Sequence, residues 1–549
     1  MKLYEYIDEC IQKFGIRKAF GVPGSLVMPI WQNIKSVELV LCSHEQEASY
    51  LATGYSKMFR EPTVVITTGG PGVTNCISGI AAANLDSLPL IYISGRTPVR
   101  NKNHGLRQEE SDFDRCYDSN SIMSSITKKS ICITNIEDAC QEIYDAFQCA
   151  LSNRMGSVHI SIPIDMQQLE VKQNLNISVF DQISAIEANV DHNFELIRLL
   201  KDQKRCLLII GWGCWLANVT DDIYRLAEKI NAPILCTVKA YCCMKKNDFL
   251  IGKLGYGYNK VISKFVREYK PEEVLVFGSS ISIKDFTDDF LLDIQDAHIH
   301  SFSIENNSFG CGVEKIFLHK VDCLKKLFVN LDTIDTVINN KIKRNIYECK
   351  YNQISYYNYL IEKQKLSLLC KNLSELLDNN ITITADAGNH LLEVAVAINP
   401  KYYKNLFLDD GIRAMGSGIC ETVGMAFADK NRHYIAVTGD GCMLMNGNVM
   451  YIAMKYSLPI VFLVINNSSL GRVRVGQMSM NRIVQSDLGG IDFVCYAKTF
   501  GIEAHRVSHV EECIQLIKKY LNIHGPTLIE MNVSNDEIPI MLKAKGEWN

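Results

Sequence analysis

The feature that most constrains this chain is a rhythm: short runs rich in β-branched residues alternate with stretches of helical period, and the alternation recurs in three blocks. Strands that read as continuous apolar runs are those buried on both faces. The expected fold class is therefore α/β, with three doubly wound parallel-sheet domains whose faces are covered by helices. In the first block, residues 1–165, strands are expected at Val64-Val65-Ile66-Thr67, Leu90-Ile91-Tyr92-Ile93 and Val158-His159-Ile160-Ser161-Ile162. The second, residues 190–335, offers Cys206-Leu207-Leu208-Ile209-Ile210, Ile234-Leu235-Cys236-Thr237 and Val274-Leu275-Val276-Phe277. The third, residues 359–549, offers Ile381-Thr382-Ile383-Thr384, Tyr434-Ile435-Ala436-Val437 and the run Ile460 to Ile465. Polar residues near 166–190 read as a linker, and the Lys-, Asn- and Tyr-rich stretch 333–358 as a connecting segment.

Composition narrows the partners. With 47% hydrophobic and 21% charged residues the 549-residue chain falls near globular averages, which excludes bulk disorder and fibrous classes. Its 57 basic and 61 acidic side chains leave a net charge of −4 without a long basic stretch, which argues against nucleic acid. A small-molecule partner fits better. The 20 cysteines lie scattered through apolar segments, Cys206, Cys236, Cys420 and Cys495 among them, without metal-ligand spacing, and read as buried reduced thiols. Acids among the first ten residues and the absence of a run of about 18 apolar residues give no signal peptide or membrane span, so a cytoplasmic location is expected.

The segment richest in chemistry is Thr438-Gly439-Asp440-Gly441, after a strand and before the apolar stretch Met443 to Tyr456, which is expected to be one buried helix. Two glycines let backbone amides approach an anion, and a helix N-terminus favours negative charge. Asp440 adds a hard oxygen ligand. After 24 residues, 442 to 465, come Asn466-Asn467 at the end of a strand. A helix of about 12 residues travels roughly 18 Å. The strand from Pro459 to Ile465 returns roughly 23 Å. A right-handed crossover thus brings Asn467 to the same carboxyl edge as Asp440, where open parallel sheets bind ligands. Phosphate oxygens, a backbone carbonyl and water would complete the octahedral oxygen shell of Mg²⁺.

This arrangement, Gly-Asp-Gly followed at that spacing by Asn-Asn, resembles the fingerprint of the thiamin diphosphate-dependent enzymes. A second stretch, Ser43-His44-Glu45-Gln46 leading into Ala52-Thr53-Gly54-Tyr55, is similar to that family's activating-glutamate segment. The resemblance implies that Asp440 and Asn467 bind the metal through side chains and Ser469 through its carbonyl. It implies that Glu45 hydrogen-bonds the aminopyrimidine and so promotes loss of the thiazolium proton, a general acid–base task. Phe20-Gly21-Val22-Pro23-Gly24 and Thr68-Gly69-Gly70-Pro71-Gly72-Val73-Thr74-Asn75 resemble the loops shaping the pyrimidine site, which implicates Pro23, Pro71 and Asn75. Asp386-Ala387-Gly388-Asn389-His390 is similar to the family's diphosphate-contacting Gly-x-His. Gly388, Asn389 and His390 are therefore expected to cradle the diphosphate with Gly439, Gly441, Cys442, Leu470 and Gly471. Met415 falls where the family places the wedge that bends the cofactor, whereas Met443, Met445, Met450 and Met454 read as packing.

The order of blocks and Leu470-Gly471-x-Val473-Arg474-x-x-Gln477 look most like acetolactate synthase and its decarboxylase relatives. The resemblance implies a pyrimidine-binding, a middle and a diphosphate-binding domain, and a homodimer or homotetramer with its site at the subunit interface. It implies a 2-oxo acid donor, with pyruvate the first choice, and a carbonyl acceptor. Non-ligating decarboxylation, 2-hydroxyacyl lyase activity and an inactive cofactor-binding subunit remain as alternatives. The chain departs from acetolactate synthases at Arg107-Gln108-Glu109, where they carry Phe-Gln-Glu, and at Gly476, where they carry Trp. Gln108 keeps its substrate-contacting role; His104, Arg107, Arg472 and Gly476 are candidates for substrate selection, with the two arginines favouring an anionic acceptor. Gly211-Trp212-Gly213 lacks the third glycine of a dinucleotide loop, and Gly278-Ser279-Ser280-Ile281-Ser282 replaces the family's Arg-Phe-Asp-Asp, which argues against FAD and against a nicotinamide oxidoreductase.

Overall fold

The computed structural model describes residues 1–110, 117–172, 192–201, 204–305, 316–321, 323–329, 340–361 and 364–544. Three six-stranded sheets, parallel throughout, follow one another along the chain. The first contains β1 (Lys18–Val22), β2 (Glu38–Leu41), β3 (Thr63–Thr67), β4 (Leu90–Arg96), β5 (Lys129–Cys132) and β6 (Ser157–Pro163), in the order β2-β1-β3-β4-β6-β5. The second contains β7 (Cys206–Ile210), β8 (Ile234–Cys236), β9 (Leu250–Lys253), β10 (Glu273–Phe277), β11 (His298–Ser303) and β12 (Ile316–Lys320), ordered β12-β11-β10-β7-β8-β9. The third contains β13 (Ile381–Ala385), β14 (Leu406–Leu408), β15 (His433–Gly439), β16 (Ile460–Asn466), β17 (Glu503–Val507) and β18 (Thr527–Asn532), ordered β14-β13-β15-β16-β18-β17. Strand for strand, the third sheet repeats the order of the first.

Burial explains the continuous apolar runs: every residue of β3, β7, β10, β13 and β16 is buried. One apolar core passes through all three sheets, and a smaller one fills the other face of the first sheet beneath the helices Leu3–Lys13 and Ala139–Leu151. The first and third sheets meet through two helices, Glu45–Phe59 and Ser417–Ala428. They approach closely because each has a glycine at the crossing. A Cβ on Gly54 would lie 1.9 Å from the Glu421 carbonyl oxygen, and one on Gly424 2.0 Å from that of Leu51.

A buried ion cluster ties the three units together. The Lys57 ammonium lies 2.8 Å from Asp86 and 2.7 Å from Glu421, and Lys239 of the second unit also reaches Asp86. Burial disfavours the Asp86 carboxylate, but Lys239 and Lys57 outweigh it and hold the group well below the usual carboxylate range. Removing one partner would leave a buried charge uncompensated, so the cluster fixes the mutual placement of the units more than it adds stability.

Four expectations need correction. Part of the stretch 333–358 is the 22-residue helix Asn340–Ile361, which buries Ile346 and Cys349 and is tied to the second unit by Gln353 Nε2 donating to the Ile251 carbonyl at 2.6 Å. The expected helix from Met443 to Tyr456 is two, Asp440–Asn446 and Val449–Lys455, broken at Gly447-Asn448. Met443 and Met450 are buried as expected, but Met445 and Met454 face outward with Leu444 and Tyr451. Cys495 is exposed, because the short helix Phe493–Thr499 buries only Phe493 and Ala497. The linker expected near 166–190 lies largely outside the described residues. Among the described residues no helix is long and apolar enough to cross a membrane.

Candidate active site

The carboxyl edge of the third sheet gathers most of the residues singled out from the sequence. β15 and β16 are neighbours with Gly439 paired to Ile465, so Asp440 and Asn466-Asn467 emerge side by side. The backbone amide of Ser469 donates to both Asp440 Oδ2, at 3.0 Å, and Asn467 Oδ1, at 3.2 Å, while Gly441 N donates to Asp440 Oδ1 at 2.8 Å. One amide thus brings a carboxylate oxygen and an amide oxygen together. The residues flanking Ser469 are tied to the segment 486–488 in an isolated antiparallel bridge, Leu470 N to Ser486 O at 2.7 Å and Leu488 N to Ser468 O at 2.9 Å. That pairing leaves the Ser469 carbonyl without a donor among the described residues. Burial pushes the Asp440 carboxyl above its ordinary range, and no basic side chain pairs with it among the described residues. A divalent cation would supply the missing positive charge, and these three oxygens suit Mg²⁺.

Around Asp440 lies an open cleft lined by Gly388, Asn389, His390, Met415, Gly439, Gly441, Cys442, Asn467, Ser469, Leu470, Gly471 and Arg472 among others. Three polar atoms buried here, Asn389 Oδ1, His390 Nε2 and Ser469 Oγ, have no hydrogen-bond partner among the described residues. Orphaned buried polar atoms are costly unless a ligand or water meets them; the Ser469 hydroxyl can donate to an anionic phosphate group beside a metal, while Asn389 Oδ1, an acceptor, would meet a bound water. Burial holds His390 neutral, its pKa lowered to about 4. The Cys442 thiol donates to the Ala387 carbonyl at 3.0 Å. Gly388 sits at φ +154°, where a Cβ would come within 2.4 Å of the His390 ring.

Sequence reasoning passed over Asp386. Its carboxylate accepts from Ala387 N at 2.7 Å, Gly416 N at 3.1 Å and Ile419 N at 3.3 Å, which ties the Gly388-Asn389-His390 loop to the Met415 turn. Burial, and then the charge of Asp409, raises its pKa to about 7. The available signal was an acid directly after a buried strand. Gly476 lies on the helix Gly471–Ser479, where a Cβ would meet nothing within 4 Å among the described residues, and it is not one of the residues lining the cleft.

The carboxyl edge of the first sheet holds the rest. Glu45 opens the helix that follows β2, is half-buried, and accepts from Asn75 Nδ2 at 2.9 Å. Pro23 stands in the loop after β1, and Pro71 opens the helix Pro71–Leu85 that follows β3. Gln108, at φ +61°, packs on Gly70, where a Cβ would lie 2.9 Å from Gln108 Cβ. His104 and Arg107 are exposed on the same loop. Glu110, which the sequence reading omitted, is buried and accepts from Gly70 N and Ser119 Oγ, anchoring the glycine loop.

Within one chain these two edges do not meet. Leu51 faces Gly424 and Gly54 faces Glu421, so the two crossing helices run antiparallel. Glu45 and Met415, at their respective N-terminal ends, therefore lie at opposite ends of the pair, roughly 20 Å apart at 1.5 Å per residue.

The second sheet has the strand order of dinucleotide-binding folds, with its switch point between β7 and β10. The loops there close on each other: Gly211 N donates to Phe277 O at 2.9 Å, Gly213 N to Gly278 O at 2.8 Å, and a Cβ on Gly211 would lie 2.4 Å from Gly278 O. The amides of Gly211 and Gly213 are thereby engaged within the protein.

Two edges on matching sheets, one bearing a half-buried acid and the other an oxygen cage, suit a cofactor-dependent α/β enzyme. Comparison with known families agrees: the thiamine pyrophosphate enzyme models match as N-terminal TPP binding domain over residues 1–115, central domain over 195–309 and C-terminal TPP binding domain over 386–531. The chain belongs to the thiamine pyrophosphate-dependent enzymes, that cofactor being thiamin diphosphate. Within the family it is similar to acetolactate synthases. It is 26% identical to a probable acetolactate synthase large subunit of Methanocaldococcus jannaschii, over 100% of this chain and 94% of that one. It is 26% identical to the chloroplastic acetolactate synthase of Arabidopsis thaliana (99% and 83%). It is 24% identical to the acetolactate synthase isozyme 1 large subunit of Escherichia coli K12 (99% and 96%).

Proposed function

We propose that this enzyme decarboxylates a 2-oxo acid, pyruvate being the first candidate, and transfers the remaining acyl unit to a carbonyl acceptor, using Mg²⁺ with thiamin diphosphate. The observation that carries the reading is the Ser469 amide shared by Asp440 and Asn467 beside the unpartnered Asn389, His390 and Ser469 atoms. Asp440, Asn467 and the Ser469 carbonyl would hold the metal. Gly388, Asn389, His390, Gly439, Gly441, Cys442, Leu470 and Gly471 would receive the diphosphate, and Met415 would support the bent cofactor. When bound, the cofactor supplies an acyl-anion equivalent after CO₂ leaves. Glu45, oriented by Asn75 and flanked by Pro23 and Pro71, would hold the proton that activates it, and Gln108 would contact substrate.

The working unit in this reading is a homodimer or a larger assembly. Glu45 and Met415 lie at opposite ends of one antiparallel helix pair, so a two-fold partner can bring its Glu45 to this chain's Met415, and the reverse. The outward side chains Leu444, Met445, Tyr451 and Met454, on the helices just after Asp440, offer an apolar face for such a contact. The engaged amides of Gly211 and Gly213 support a middle domain without FAD.

Incubation with pyruvate, alone and with added aldehydes or 2-oxo acids, and mass analysis of the products tests the proposal. Hydroxyketone products that depend on the acceptor are expected. Release of acetaldehyde alone would replace transfer by simple decarboxylation.

A further inference from the structure

We propose that Lys253, a residue of the middle unit outside the cleft, is a positioning residue for the diphosphate: its charge closes the carboxyl end of the helix Asn389–Ala397 and so holds the amino end of that helix toward the phosphates. This rests on the reading of the cleft as the diphosphate site and adds the part played by the middle unit. The helix starts at the cleft, where Gly388, Asn389 and His390 are lining residues. The amides of a first helical turn have no partner within the helix, and the aligned peptide dipoles place partial positive charge there and partial negative charge at the other end.

At that other end no glycine follows the last turn. The chain continues as Ile398-Asn399-Pro400, with Ile398 extended at φ −85°, ψ 123°. One side chain from another unit meets the carbonyls instead. Lys253 Nζ, at the end of β9, donates to the carbonyls of Ala395 at 2.8 Å, Val396 at 3.5 Å and Ile398. Gly257 makes room for it, since a Cβ there would lie 2.5 Å from Lys253 Cβ.

Lys253 is only 4% exposed, and it makes no ion pair among the described residues. The groups around it are otherwise engaged or neutral. The Tyr241 ring centroid lies 5.2 Å from the ammonium, and its hydroxyl donates to the Leu254 carbonyl at 2.7 Å. Cys236, paired with Lys253 across β8 and β9, keeps its proton because burial raises its pKa. Glu393, on the helix itself, accepts from Ser367 Oγ at 2.8 Å and the Ile540 amide at 2.6 Å, and the Tyr256 hydroxyl accepts from Arg413 at 2.8 Å. A buried cation without an acid is costly, and burial lowers the Lys253 pKa to about 7. The negative pole of the helix offsets that cost.

Nine residues at 1.5 Å each put the ammonium roughly 13 Å from the amino end of the helix. Across a poorly screened interior a unit charge still acts on a multiply charged phosphate group at that distance. A bound anion therefore raises the pKa of the lysine, and loss of the lysine proton weakens the anion; the two bindings favour each other.

The test uses the full-length protein freed of cofactor, with Mg²⁺ and either thiamin diphosphate or inorganic pyrophosphate as the probe, in calorimetry from about pH 6.5 to about pH 9. Lys253→Met removes the charge at similar size. Lys253→Gln removes it but keeps a donor for the carbonyls, and it carries the test if the first variant fails to fold. Either variant is expected to bind both probes about tenfold more weakly than wild type at the lower pH. The gap is expected to shrink below about threefold at the higher pH, where wild-type Lys253 has lost its proton. A loss that is the same at every pH would make Lys253 a structural residue only, and full wild-type affinity in Lys253→Gln would remove its charge from the account. Either result overturns the proposal and leaves the cleft assigned. Wild-type protein without affinity for thiamin diphosphate would overturn the reading of the cleft itself.

Discussion

The first and third sheets share one strand order, and their carboxyl edges carry different chemistry. On the third, polar groups are left open: among the described residues Asn389 Oδ1, His390 Nε2 and Ser469 Oγ have no partners and Asp440 has no counter-charge. On the first, the acids are engaged locally: Glu45 by Asn75, Glu110 by Gly70 and Ser119, and Glu47 through Oε2 by Ser43 at 2.6 Å, its Oε1 alone lacking a partner among the described residues. The difference separates a cradle from a lever. An edge that binds a charged group needs unsatisfied donors and a buried acid awaiting a cation; an edge that delivers one acid needs that acid held still.

The sharpest way to break the comparison is to remove one acid from each edge. Asp440→Ala is expected to weaken Mg²⁺-dependent binding of thiamin diphosphate by more than about 100-fold in calorimetry, since in the proposed function it deletes an ionic ligand of the metal. Glu45→Gln is expected to leave that affinity within a few-fold and to slow exchange of the thiazolium C2 proton, followed by NMR, by at least about 100-fold. If both variants lose binding equally, the division of labour between the edges is wrong.

The join between the edges gives the next effect. Gly424→Ala would place a Cβ about where the Leu51 carbonyl oxygen lies, 2.0 Å away. It is expected to cost about 3 kcal/mol in denaturant unfolding, at the upper end for overpacking. A neutral result would show that the helix pair is looser than described.

The smallest effect is a pH dependence placed in the first sheet. His159 lies between the hydroxyls of Ser94 and Ser130, each 2.9 Å away, and burial lowers its pKa to about 3. Because the folded pKa is depressed, the unfolded chain takes up a proton as pH falls below about 6.5 while the folded chain does not, so stability declines between pH 6.5 and 4. His390 adds the same sign in the third sheet, with its folded value of about 4. His159→Asn is expected to flatten the decline of Tm over that range by about half; an unchanged slope would remove His159 as a source.

Much of this was legible beforehand for a physical reason. β-branched runs such as Val274 to Phe277 are buried on both faces, and that burial writes itself into the local residue pattern. Gly439-Asp440-Gly441 and Asn466-Asn467 were readable together because the return of a helix and a strand depends on length alone, and the pairing of Gly439 with Ile465 follows from it. Met445, Met454 and Cys495 were misread because apolar composition does not say which side of a short helix faces the core. Asp386 and Glu110 were missed because their hydrogen-bond partners lie elsewhere in the chain: Gly416 for Asp386, Gly70 for Glu110.

The amino-acid sequence by itself therefore determined the three parallel sheets, the oxygen donors at one edge and the acid at another, since each depends on neighbours within a few dozen residues. Only the tertiary structure decided that Glu45 and Met415 lie at opposite ends of an antiparallel helix pair, that Gly211 and Gly213 are closed against the β10 loop, and that Lys253 closes the end of a third-unit helix without an acid. Those outcomes depend on how separate units pack, where a missing Cβ or an unpaired charge is set by residues far away in the chain.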